Sequence, residues 1–374
     1  MIIIKFDSKF ATETFHHTEV FFCNNPNQQI MEITHKKRTS QLIDQLETEK
    51  AIDLIKTTFS GLLCDHLRLI RVVAPLIVAE DTGINDDLNG IERPVSLNIR
   101  DMPAQKVSVV QSLAKWKRYR LAQLGINPGE GIITDMKALR PDEDMGPLHS
   151  VFVDQWDWEK VITKGQRHLH YLKDIVRMIY KALRDTEKAV SVNYPEIKPI
   201  LPDEIKFIHS EDLLLRYPEL TPRQRETEAA REYGAFFLIG IGGELPGGSI
   251  HDGRAPDYDD WSTPAGQHYK GLNGDIIVWN PVMQSAFELS SMGIRVDESA
   301  LLRQLEKRNC LDRKELFFHR LLLSGKLPQT IGGGIGQSRV CMFMLRKLHV
   351  GEVQASVWPE SMHKSLKNDG IELI

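Results

Sequence analysis

The sequence predicts an α+β fold, a mainly antiparallel sheet flanked by helices. Strand-like segments come in hairpin pairs, as at 131–138 and 151–158 around a loop rich in Pro, Gly and Asp, rather than alternating regularly with helices. Other stretches, such as 167–190, repeat apolar residues at helical spacing. The chain has 374 residues, 41% apolar and 26% charged, which is material for a large globular core. Its net charge of -4, from 47 basic and 51 acidic residues, argues against a nucleic-acid or anionic-membrane binder. No stretch approaches the roughly 18 apolar residues of a membrane span. Cys23, Cys64, Cys310 and Cys341 lie far apart with neither CxxC nor zinc spacing, as expected of reduced thiols in a cytoplasmic protein.

Taken in order, residues 1–41 lack a signal-peptide core, and Glu13 and Glu19 disfavour a transit peptide. They are expected to be a poorly ordered extension to one domain spanning 42–374. A helix is predicted over 47–67, with Ile52, Ile55, Phe59 and Leu62 on one face. The β-rich run 69–78 is interrupted by Pro75, so it belongs at an edge or interface. Short strands follow at 95–99 and 107–110, separated by Asp101-Met102-Pro103, and a helix opens at Gln111 carrying Lys115, Lys117 and Arg118. After the hairpin and the long helix, a strand is expected at 205–208. Thr221-Pro222-Arg223-Gln224 is a capping box with proline at the first helical position, and Gly234 closes that helix. Strands at 235–239 and 275–279, helices at 298–307 and 313–323, and a last helix after Arg339 complete the reading.

Several chemistries are excluded. There is no GxxxxGK[ST], and Gly240-Ile241-Gly242-Gly243 runs into Pro246 and Gly247-Gly248 rather than a helix, so neither a P-loop nor a Rossmann site is present. HExxH, GxSxG and redox CxxC are also missing. What remains is a set of arginines, carboxylates and glycines. In IGGGIGQSR, 331–339, glycines let backbone approach a ligand and Arg339 offers a phosphate-binding fork; read alone, the stretch is equally a loose turn. The segment 251–261 holds four aspartates around Arg254; such loops are usually solvated, but its aromatic residues and proline favour a binding surface. Asp275 and Glu288, able to face each other across neighbouring strands, suit Mg²⁺, with two unrelated surface acids as the plain alternative. Together with Arg140 in the hairpin loop, these suit a triphosphate held without a P-loop, where arginine and Mg²⁺ offset charge at the α-phosphate.

These residues carry a resemblance. MKALRPDED at 136–144, HSVFVDQWDWE at 149–159, RAPDYDDWST at 254–263, 271–281, FELSSMGIRV at 287–296 and PQTIGGGIGQSR at 328–339 resemble the ammonia-dependent asparagine synthetases of bacterial type, the aspartate–ammonia ligases. That family is similar to the class II aminoacyl-tRNA synthetase core, which is the fold implied. The segment ending at Pro75 resembles the class's first motif, which builds a dimer interface; Arg140 with Asp142, Glu143 and Phe152 resembles the second, and 332–339 the third. The class usually has Arg-x-Glu where this chain has Arg-Pro-Asp-Glu, leaving open which acid reads adenine.

The resemblance implies that L-aspartate, ATP and ammonia give L-asparagine, AMP and pyrophosphate through β-aspartyl-AMP in a cytoplasmic homodimer. It casts Arg140 and Arg339 as catalytic clamps on the triphosphate, with Asp142, Glu143, Ser291 and Arg295 as further nucleotide contacts. Asp275 and Glu288 become Mg²⁺ ligands. Ser112, Lys117, Gln155, Asp157 and Arg254 become aspartate contacts, and either Asp86 or Asp259 meets ammonium. Three other readings compete. An aspartyl- or asparaginyl-tRNA synthetase would need a basic anticodon-binding domain, for which residues 1–41 are too short. A glutamine-dependent synthetase would need a glutaminase nucleophile, whereas this chain begins Met1-Ile2-Ile3. A silent binding module fits poorly with the joint presence of Arg140, Asp275, Glu288 and Arg339.

Overall fold

The structure is a computed structural model that describes residues 42–86, 92–266 and 268–374; the expectation for residues 1–41 lies outside these. Helix α1 (Gln45–Leu67) starts where the Asp44 side chain accepts from the Glu47 amide, 2.8 Å, and buries Ile52, Ile55, Phe59 and Leu63. Strand β1 (Leu69–Arg71) follows, then β2 (Ile77–Ala79), β3 (Ser96–Ile99) and β4 (Met102–Val109). The run expected at 69–78 is therefore two strands in different sheets, divided around Pro75. Proline cannot donate to a ladder, and each piece takes an edge position. The turn expected at 101–103 is shorter, because Met102 and Pro103 already belong to β4.

Next come α2 (Ala114–Leu124), the hairpin β5 (Gly131–Leu139) and β6 (Phe152–Val161), and the long α3 (Leu169–Asn193). After β7 (Lys206–His209), α4 (Ser210–Arg216) and α5 (Pro222–Tyr233) lead to β8 (Ala235–Ile239). The Thr221–Gln224 capping box and the Gly234 stop both form. Strands β9 (Asn273–Asn280) and β10 (Ser285–Ile294) make a second hairpin, followed by α6 (Glu298–Lys307) and α7 (Phe317–Leu323). The helix expected over 313–323 is broken at Leu316, whose extended backbone separates a 3₁₀ turn, Leu311–Glu315, from α7. Strand β11 (Thr330–Gly336), α8 (Gln337–Met344) and α9 (Glu360–Asn368) end the chain.

Eight strands form one sheet in the order β1-β5-β6-β11-β10-β9-β8-β7, and β2-β4-β3 form a small antiparallel one. The mainly antiparallel expectation is corrected at the margins. The two outermost pairs, β1 with β5 and β7 with β8, are parallel, so the large sheet is mixed. Helices α1 and α3 cover one face, where Trp156, Trp158, Phe237 and Met292 pack with them in the main core. The opposite face carries smaller clusters under α5 and α2, and an open cavity between them. No helix among the described residues is long and apolar enough to cross a membrane.

Candidate active site

Strand β6 explains why the site forms where it does. Successive side chains alternate faces, so Trp156 and Trp158 enter the main core while Gln155, Asp157 and Glu159 project from the other side. Ladder pairing then aligns Asp275 of β9, Ser291 of β10, Gly334 of β11 and Asp157 of β6 in one row; Gly293, Gly332 and Glu159 form the next. A register shift between Glu288 and Ser290 adds a residue to β10. That bulge turns Glu288 onto the face of Asp275, from which a regular three-residue step from Ser291 would have excluded it.

The glycine-rich stretch is thus neither a turn nor a loop but the central strand β11. A β-carbon on Gly332 would lie 1.8 Å from Glu159 Oε2, and one on Gly334 would lie 2.3 Å from Gln155 Oε1. Glycine here lets the polar side chains of β6 lie across the neighbouring strand. The helix expected after Arg339 begins earlier, at Gln337, which puts Arg339 in the first turn of α8. Asp154 fixes that turn: its Oδ1 accepts from the Ser338 amide at 3.0 Å and the Ser338 hydroxyl at 2.6 Å.

The resulting cavity is about 400 Å³. Arg140, Arg254 and Arg339 supply its positive charge, and Glu143, Gln155, Glu288 and Ser291 also line it. Arg339 donates to His149 Nε2 at 2.7 Å and lies 3.7 Å from the Glu288 carboxylate. Burial and then Arg339 hold the His149 imidazole below its ordinary range, so it stays a neutral acceptor. Arg140 donates weakly to the Gln111 carbonyl at 3.4 Å and stands 4.0 Å from Glu143, while its buried Nε has no protein partner. Arg254 donates to both oxygens of Asp275, at 2.6 and 2.5 Å. Burial, with Glu288 nearby, pushes the Asp275 carboxyl up to about 7 against the pull of Arg254.

On the same face of the sheet the remaining polar groups are buried and paired with one another. Lys117 donates to Asp157 and, at 2.9 Å, to the Gly333 carbonyl. Burial holds its ammonium below the usual range despite Asp157 and Glu159. Arg295 sits between Glu159, at 2.8 Å, and Asp259.

The family model described as aspartate–ammonia ligase matches residues 46–370. The chain belongs to the aspartate–ammonia ligase family. It is 56% identical over 333 residues to an aspartate–ammonia ligase of Parabacteroides distasonis, covering 89% of this chain and 96% of the relative. It is 54% identical to one of Bacteroides thetaiotaomicron over 90% of this chain and 98% of the relative. The fold is similar to asparaginyl-tRNA synthetases solved with asparaginyl-adenylate. The Pyrococcus horikoshii enzyme has TM-score 0.62 and 16% identity, with 90% of this chain and 75% of that one covered. For the Entamoeba histolytica enzyme the TM-score is 0.62 at 14% identity, with 83% of this chain and 66% of that one covered. These likenesses place this ligase-family chain on the class II synthetase fold.

Of the site residues expected from sequence, Arg140, Glu143, Gln155, Arg254, Glu288, Ser291 and Arg339 meet at the cavity. Asp275 reaches it through Arg254, while Lys117 and Asp157 form a buried pair on the same face, against Gly333 and Gly334. Others are elsewhere. Asp142 is turned away, bound by the Arg93 guanidinium and by the Arg93 amide at 2.8 Å. Asp259 and Arg295 are buried against each other, off the cavity wall. Ser112 accepts from the Ala114 amide at 3.2 Å, at the start of α2. Asp86 lies in a different cavity. The acidic segment 251–261 is not a solvated turn: Asp257, Asp259 and Asp260 are buried, each against a cation. Sequence reasoning assigned no role to His149 or Asp154, although both lie in HSVFVDQWDWE; only their contacts with α8 reveal one.

Proposed function

We propose that this protein makes L-asparagine from L-aspartate, ATP and ammonia through a β-aspartyl-AMP intermediate, releasing AMP and pyrophosphate. The convergence of Arg140, Arg254 and Arg339 on one cavity roofed by a glycine strand carries this reading, because it suits a polyanion beside a small zwitterion. ATP lies along β10 and β11, with Arg140 and Arg339 on its phosphates and Glu143, rather than Asp142, toward the adenine edge. Attack by the aspartate side-chain carboxylate builds charge at the α-phosphate, and these fixed guanidiniums are already in place to offset it. Aspartate itself needs both signs of charge. Gln155 on the cavity wall faces its carboxylates, and beside it the buried Lys117–Asp157 pair offers charge of both signs, with Asp157 Oδ2 free of a hydrogen-bond partner to take its ammonium. Arg254 bridges substrate and carboxylate pair.

Asp275 and Glu288 fit Mg²⁺ by donor type. They are hard oxygen ligands, and burial, with Glu288 nearby, raises Asp275. When bound to them, the ion would supply positive charge that offsets the triphosphate. Arg254 holds positive charge beside Asp275. A homodimer is supported by the exposed apolar patch Ile70, Val73, Leu76 and Ile77 beside edge strand β1. Free Cys64 and Cys341 favour the cytoplasm.

The decisive assay follows AMP and asparagine with aspartate, MgATP and ammonium, then with glutamine, then with tRNA and labelled aspartate. Ammonium-dependent asparagine formation is expected, and aspartate transfer to tRNA without it would refute the proposal.

A further inference from the structure

Helix α5 packs across β8, β9 and β10 on the cavity side of the sheet, yet none of its residues has a role in adenylation so far. Arg223, Thr227 and Arg231 follow one another at four-residue steps, so they form a single row along the helix. Two contacts fix how that row is aimed. The Arg231 guanidinium lies 5.3 Å from the centre of the Trp279 ring of β9. One turn earlier, the Thr227 hydroxyl stands 3.5 Å from the Ala286 amide of β10. Trp279 and Ala286 are ladder partners, so the row crosses from β9 to β10 as it nears the helix start. Arg223 is the next step. It continues past β10 toward the group where Arg339 meets Glu288 and His149.

A second anchor holds the same end of the helix. Glu226, three residues on from Arg223, accepts from Nε2 of His251 at 2.9 Å. The His251 side chain is fully buried, and the loop that follows it, Asp252-Gly253-Arg254, lines the cavity. The start of α5 is thus tied both to β10 and to the loop that carries Arg254.

Arg223 is exposed, and among the described residues its guanidinium has neither an ion pair nor a hydrogen bond. Arg254 and Arg339, in contrast, already hold protein partners. The charge of Arg223 bears on His149 together with those of Arg339, Glu143 and Glu288, which places it at the rim of the cavity. A guanidinium kept clear of acids beside a cationic cavity is suited to bind phosphate.

We propose that Arg223 binds the γ-phosphate end of ATP at the cavity mouth and holds the same group as it leaves in pyrophosphate. In adenylation an oxygen of the aspartate side chain bonds to the α-phosphorus, and the bond from that phosphorus to the bridging oxygen breaks. The electron pair departs with the bridging oxygen, so charge grows on the group that Arg223 faces. Exposure suits this end of the nucleotide, because pyrophosphate must leave into water while the adenylate stays enclosed. The inference rests on the asparagine-forming reading.

Arg223→Ala in the full chain tests it, at a helix position that alanine favours. Equilibrium binding of MgATP and of pyrophosphate is expected to weaken about three- to tenfold, while AMP, which lacks the tail, stays within about twofold of the parent. KM for ATP in aspartate-dependent pyrophosphate exchange should rise by the same factor, with KM for aspartate unmoved. Arg223→Lys should recover most of the ATP affinity, and Arg223→Glu should lose more than alanine does. ATP affinity should also fall more steeply with salt in the parent than in Arg223→Ala. Unchanged binding of ATP and pyrophosphate in Arg223→Ala would overturn the proposal. So would equal losses for ATP and AMP, which mark a purely structural change. ATP binding without exchange in the unmodified chain would instead overturn the asparagine-forming reading, and the binding series would still decide the phosphate contact.

Discussion

Arg339 is the residue on which adenylation depends most, and its position is set by groups on both sides. Asp154 holds the first turn of α8, and neutral His149 receives one guanidinium N–H. Arg339→Ala removes one preorganised donor and should cost about 2–4 kcal/mol of transition-state stabilisation, read as slower pyrophosphate exchange. His149 gives this a pH signature. Its folded pKa lies below the unfolded value, so the neutral form contributes stability above about pH 6.5 that is lost as pH falls through the folded value. The contact with Arg339 should survive the ordinary imidazole range and break only below it. Exchange is therefore expected to show an acid limb below about pH 6.5. His149→Asn, which can accept the same hydrogen bond without titrating, should flatten that limb; an unmoved limb would show that another group sets it.

At the scale of the element, β11 is the unusual strand. Glycine in a strand costs conformational entropy and gives no side-chain packing, yet here it leaves room for Gln155 and Glu159 to cross over the backbone. Gly332→Ala would push Glu159 off Arg295 and strain a packed interior, for about 1–3 kcal/mol of lost stability by urea denaturation. Asp259, on the other side of Arg295, belongs to the same buried network, so its loss should impair both half-reactions and stability rather than ammonolysis alone. Gly146, with open space around it and no left-handed backbone, serves as the control for the loss of a glycine.

For the whole molecule, one group of exposed apolar residues stands out from others spread over the surface. Ile70, Val73, Leu76, Ile77, Leu97 and Met102 cluster around edge strand β1 and the small sheet, with Val73 91% exposed. A surface of this kind is a partner interface or an aggregation hazard. Val73→Asp is expected to shift the protein toward monomer in sedimentation velocity. An unchanged sedimentation coefficient would place the interface elsewhere.

The sequence by itself determined most element types, though not the glycine strand β11, together with the capping box at Thr221, the edge placement around Pro75 and, through its long motifs, the family. Those features depend on local propensity, on periodicity and on residue identity, all of which are written along the chain. The tertiary structure alone decided which charges are available. Arg254 and Asp259 stand five residues apart in one acidic segment, yet one faces the cavity and the other is locked against Arg295. Asp142 and Glu143 are adjacent, and Arg93, from 49 residues away, separates their roles. Bulge, register and long-range ion pairing fix these outcomes, since a charged side chain takes its partner from whatever strand packs beside it rather than from its neighbours in sequence.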